Sequence, residues 1–173
     1  MDFEDKSDNR EILKLLNKAR YHHNYCYEEE KAIELCDKII KNDPENRDAM
    51  LIKAGSLSCL NKEKESYQLT TEIIKKWPDH WEAYYLIGFL LLDTNEKMAM
   101  ENFNKSIELE KNFNNTIAAA QLAYFMQNGD YKLYLRYARE IGHPISKDAD
   151  ISPFAPLILQ NSMNFDSAQK CKF

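Results

Sequence analysis

The sequence predicts an all-α chain of antiparallel helix pairs stacked into a superhelix, an α-α solenoid of about four repeats followed by a C-terminal cap or half-repeat. Three observations predict it. Only 4 Gly and 5 Pro interrupt 173 residues, too few breakers for the many turns a strand-rich fold needs. Apolar residues recur at helical rather than alternating spacing. Finally, "IIKNDPENRDAM" and "IIKKWPDHWEAY" each run a double isoleucine and a lysine into a proline and then restart an amphipathic segment, so that Pro44 and Pro78 mark a common unit length.

Each proline marks the end of a helix, because its fixed φ and missing N–H stop propagation. Before Pro44, Ala32, Ile33, Cys36, Ile39 and Ile40 form one apolar stripe; its mate is the upstream "REILKLLNKARYHHNYCY". Before Pro78, the stripe is Tyr67, Thr70, Ile73 and Ile74. After Pro78, Tyr84, Ile87, Gly88 and Leu91 share a face, followed by a second helix carrying Ala99, Phe103, Ser106 and Ile107. Gly inside a helix costs roughly 1 kcal/mol relative to Ala, so Gly88 marks a point where another helix comes too close for a side chain. The last pair is built on Ile117, Ala120 and Tyr124, ending at Asn128-Gly129, and on "YKLYLRYARE", ended by Gly142 and Pro144. The expected organisation is a flexible stretch 1–9, units at about 10–46, 47–80, 81–113 and 114–144, and a capping helix or degenerate fifth repeat over 145–173.

Composition narrows the function. The net charge is −5, and no Lys/Arg cluster is large enough to supply the counter-ion release behind nucleic-acid affinity. No apolar run approaches the ~20 residues of a membrane span, and the acidic "MDFEDKSDNR" lacks a signal-peptide core, so a nuclear or cytoplasmic location is expected. Cys26, Cys36, Cys59 and Cys171 are widely spaced and read as free thiols, with no metal or other cofactor expected. His22 and His23 are adjacent, so on a helix they point ~100° apart and do not easily serve one site. Glu28, Glu29 and Glu30 read as a solvated turn and first helical turn, where acids suit the helix dipole. No nucleophile with its base and no Gly-rich phosphate loop is evident, so an enzyme is not expected.

Helix pairs of about 34 residues with small residues at the crossings and a terminal proline resemble the tetratricopeptide repeat (TPR). Tyr84, Ile87, Gly88, Leu91, Ala99, Phe103 and Ser106 carry the likeness best. Met50, Ala54, Leu57 and Pro78 carry it in the second unit, while Gln121 replaces the Gly of the fourth. The resemblance implies a protein-binding groove lined mainly by the first helix of each repeat. Carried over, its partner-binding residues are Leu51 in the second unit and Glu82, Tyr85, Phe89 and Leu92 in the third. The fourth unit contributes Leu122, Phe125 and Met126. The same aromatic and aliphatic residues are open to a second account, packing against adjacent helices. The replacement of Phe89 by Glu with Tyr85 by Ala separates the two, a groove role leaving helicity intact. The two-carboxylate clamp of co-chaperone TPR proteins is not reproduced, since its positions hold Asn17, Tyr21, Ile52, Glu82 and Leu86.

Cys59 to Phe113 is also similar to one TPR protein class, the sixth (Cut9-type) subunit of the anaphase-promoting complex, or cyclosome. The shared features are Leu60-Asn61-Lys62, Trp77-Pro78, Tyr84, Tyr85, Gly88, Lys105, Leu109-Glu110-Lys111 and Phe113. That likeness implies a non-catalytic scaffold of a cell-cycle ubiquitin ligase. Its partners would be sister TPR subunits and the N-terminal segment of a small accessory subunit, with self-association as a homodimer. The alternatives are a generic TPR adaptor for an apolar peptide or helix in another assembly, or an accessory domain of an enzyme complex.

Overall fold

A computed structural model describes residues 4–126 and 131–140. Among them lie eight α-helices and one π-helical segment, in the order α1 (Glu4–Tyr21), the π-segment (His22–Cys26), α2 (Glu29–Asn42), α3 (Arg47–Cys59), α4 (Glu63–Lys76), α5 (Trp81–Leu90), α6 (Glu96–Leu109), α7 (Phe113–Phe125) and α8 (Tyr131–Glu140). They form the helix pairs of a TPR-type fold, with α1 packed on α2, α2 on α3, α5 on α6, α6 on α7 and α7 on α8. Helix α1 starts at Glu4, upstream of the expected beginning at Arg10. The proposed cap or fifth repeat over 145–173 lies outside the described residues.

The two prolines do the same mechanical job. Asn46 N–H donates to the Asp43 carbonyl at 3.1 Å, and His80 N–H donates to the Trp77 carbonyl at 3.2 Å. Pro44 and Pro78 thus each take the second place of a β-turn, where the φ that the proline ring fixes is already required. The residue closing each turn is the N-cap of the next helix. Asn46 Oδ1 accepts from Ala49 N–H at 3.0 Å, whereas His80 makes no side-chain cap bond. Helices α3 and α5 consequently begin at the same distance past their prolines, at Arg47 and Trp81. Where the proline is missing, paired asparagines cap α7. Asn112 Oδ1 accepts from Asn115 N–H at 3.2 Å, and Asn115 Oδ1 accepts from Asn112 N–H at 3.0 Å, in the manner of a capping box.

Two compact units divide within α4, between Ile73 and Ile74. In the first, Leu16 and Ala19 of α1, Cys36 and Ile39 of α2, and Ala49 and Ile52 of α3 make one buried cluster. The stripe read from the sequence supplies Ala32, Cys36 and Ile39, all fully buried. In α4 the expected Thr70 and Ile73 face inward, but Ser66 rather than Tyr67 continues the face. Ser66, Thr70 and Ile73 are fully buried, while Tyr67 is 38% exposed. Ser66 fits because its hydroxyl donates to the Ala54 carbonyl at 2.7 Å, allowing α4 to close on α3 without an unsatisfied polar group. The turn between them ends α3 with Asn61 at φ 57°, a left-handed conformation that Asn tolerates, and Lys62 N–H donates back to the Leu57 carbonyl at 2.9 Å.

In the second unit, α5 to α8 bury Ala99, Met100, Phe103, Ile107, Ile117, Leu122 and Tyr134 together with the alanines of α7. Tyr134 fills this core and donates its hydroxyl to Asn104 Oδ1 at 2.7 Å. No helix among the described residues is long and apolar enough to cross a membrane.

Candidate functional site

Helix α5 carries three of the expected groove residues, Glu82, Tyr85 and Phe89. Trp81, Tyr85 and Phe89 follow one another at four-residue spacing, so their side chains share a face. The rings form a row, with centroids 6.2 Å apart for Trp81 and Tyr85 and 4.8 Å for Tyr85 and Phe89. All three are half-buried. Glu82 beside them keeps 45% of its side chain exposed. The row is not free of the core, however. Tyr85 and Phe89 lie 6.0 and 5.4 Å from the ring of Phe103, which is fully buried, and both pack with Leu92 against the core of the second unit.

The remaining positions divide differently. Leu51 on α3 is half-buried and Met126 is 36% exposed. Leu122 is only 3% exposed and sits in the core, so it is not presented to solvent as a groove residue must be. The reason is the composition of α7, whose Ala118, Ala119, Ala120, Leu122 and Ala123 are buried between α6 and α8. A helix apolar on most sides has no face to spare for a ligand. The side chain of Phe125 lies outside the described residues. Gln121, in the repeat's Gly position, is fully buried with neither amide atom hydrogen-bonded among the described residues.

Polar chemistry gathers instead in the first unit, at the π-segment. His22 Nδ1 lies 2.7 Å from Glu28 Oε2, and His23 Nδ1 lies 2.8 Å from Glu29 Oε2. The adjacent histidines do point apart, each onto its own glutamate six residues on. Tyr27, at φ 53°, turns the chain back between them. Glu28 also accepts from Lys31 Nζ at 2.5 Å; that bond, and then His22, holds its carboxyl below the usual carboxylate range.

Glu29 corrects the solvated-turn reading of the acidic run. It is 5% exposed, because α3 packs over the start of α2, whereas Glu30 remains exposed. Gly55 of α3 faces His23, where an added Cβ would come 3.2 Å from Nε2 and 3.3 Å from Cε1. Ser56 Oγ lies 3.2 Å from His23 Nδ1. Cys59, the last residue of α3, brings its sulfur to the same place, and the donor atoms of His23, Glu29 and Cys59 all lie within 4.8 Å of one another. Although Cys59 as a residue is exposed, crowding around its thiol, reinforced by the Glu29 carboxylate, pushes it up to about 12. His22, Cys26 and Glu28 form a second such group. Cysteine spacing gave no sign of either: Cys59 is far from His23 along the chain, and helix packing brings them together.

No protein-family model matches the sequence, and no curated protein matches it. Solved structures do. MamA of Desulfovibrio magneticus RS-1, from residue 41 to its end, has a TM-score of 0.58 and 17% identity, over 75% of this chain and 73% of that one. A double mutant of MamA from strain RS-1 has a TM-score of 0.61 and 18% identity, over 80% and 78%. MamA of strain AMB-1 has a TM-score of 0.52 and 15% identity, over 69% and 67%. MamA is a TPR-like helical-repeat protein, and at such identities the likeness is one of fold. This chain is thus an all-α protein with the TPR-type helix-pair fold.

Proposed function

We propose that this protein is a non-catalytic adaptor that holds an apolar peptide or helix against the α5 face of its second unit. The row of Trp81, Tyr85 and Phe89 carries the reading. Three adjoining aromatic rings left half-open to solvent form an apolar surface of the kind that marks contact sites. Helix-pair repeats use such faces to bind extended or helical segments through a few anchoring side chains. Glu82 at the edge of the row supplies a negative charge that selects segments with a cation beside the apolar anchor.

The generic adaptor is favoured over the cyclosome subunit. The MamA structures support a helical-repeat adaptor fold, while the cyclosome reading, with its nuclear and cell-cycle role, rests on the likeness of Cys59 to Phe113 alone. A photo-reactive phenylalanine analogue at position 81, used in the native organism, tests both. Cross-linked partners that disappear with Glu82→Lys support the α5 face as the docking site. Recovery of cyclosome subunits among them would restore the finer role. Equal cross-linking by the wild type and Glu82→Lys would remove the face from consideration.

A further inference from the structure

We propose that His23, Glu29 and Cys59 form a binding site for a zinc-class divalent cation. Three separate elements supply the ligands: the π-segment, the first residue of α2 and the last residue of α3. Their nitrogen, oxygen and sulfur donors lie within 4.8 Å of one another. Ligand atoms around a tetrahedral zinc stand about 3.5 Å apart, given bonds of about 2.0 to 2.3 Å. Small rotations of the Cys59 and Glu29 side chains therefore close the set without moving the helices.

Burial and charge single out this group. The Glu29 side chain is 7% exposed, and the ion pair it makes among the described residues is with His23 rather than a Lys or Arg. A carboxylate is seldom buried without a cation to balance it. In the neighbouring group, Glu28 is already balanced by Lys31 as well as His22, so an ion there would have to displace an existing partner. The absence of a side chain at Gly55 leaves room for the His23 ring. One imidazole, one carboxylate and one thiolate favour zinc over the hard ions magnesium and calcium. Three protein ligands leave a fourth coordination place for water. The bound ion would tie the π-segment and the start of α2 to the end of α3.

The test is titration of the full chain with Co2+ under reducing conditions, followed by Zn2+. One equivalent of Co2+ should give a sulfur-to-cobalt charge-transfer band that Zn2+ erases. The band should vanish in Cys59→Ser and persist in Cys26→Ser. Glu29→Gln should weaken Zn2+ binding by more than the roughly 10–100-fold that loss of an outer hydrogen-bond partner costs. Thermal unfolding gives a second readout: Zn2+ should raise the Tm of the wild type and Cys26→Ser but not of Cys59→Ser, whose ion-free helicity is checked by circular dichroism. Absence of the band in the wild type, or its survival in Cys59→Ser, overturns the proposal. Loss in Cys26→Ser alone also overturns it, by moving the ion to the neighbouring group.

Discussion

A Cβ on Gly88 would lie 2.5 Å from the ring of Phe103, closer than packed atoms can stand, so helices α5 and α6 meet where residue 88 has no side chain. Phe103 cannot easily turn away, because it is fully buried and flanked by the rings of Tyr85 and Phe89. Gly88→Ala gains roughly 1 kcal/mol of helix propensity and sets it against an overpacking cost of about 1–3 kcal/mol. The expected outcome is a net loss of stability in urea unfolding, relieved when Phe103→Leu is added. A more stable Gly88→Ala protein would show that the ring yields freely.

The same ring contacts bear on the α5 face. Phe89→Glu with Tyr85→Ala, which a pure groove role would leave folded, removes two supports of Phe103 and is expected to lower the Tm. Glu82→Lys, at the exposed edge, should leave the Tm nearly unchanged and act on partner binding. Equal Tm values for the two variants would mean that the aromatic row bears no packing load.

Gln121 is buried with its amide unmatched among the described residues. Leaving a buried polar group unpaired costs about 1–3 kcal/mol, and Met has nearly the same volume. Gln121→Met should therefore raise the free energy of unfolding by an amount in that range. Destabilisation in denaturant titration would instead indicate that the amide has a bound water as partner.

Asn115 is the opposite case. Fully buried, it donates to Ser106 Oγ at 3.0 Å and to the Glu110 carbonyl at 2.6 Å, besides its part in capping α7. Asn115→Ala breaks all of these and leaves the buried Ser106 hydroxyl without this partner. A loss of about 2 kcal/mol or more is expected, and a loss below half of that in urea unfolding would show the network to be dispensable.

Cys36 gives a pH dependence. Burial, with some help from Asp37, pushes its thiol from 9.0 up to about 12. Between those values the unfolded chain loses the thiol proton while the folded chain keeps it, so stability is intact below about pH 9 and falls as pH rises toward 12. Cys36→Ala should show a shallower decline in urea midpoint over that window. Parallel declines for the two proteins would place the alkaline sensitivity elsewhere.

The sequence by itself determined where the helices lie, where two of them stop, and the length of the unit. These are local matters: apolar residues at helical spacing, and prolines whose backbone geometry needs no distant partner. Gly88 was legible for the same reason, since a glycine inside a strong helix pattern has few explanations other than close approach. Only the tertiary structure decided which way the faces turn. It turned Ser66 rather than Tyr67 inward on α4, buried Leu122 that repeat register had placed in a groove, and drew Glu29 beneath α3 beside His23 and Cys59. Such outcomes depend on which helix covers which, a property of contacts between residues far apart along the chain, and no local pattern encodes them.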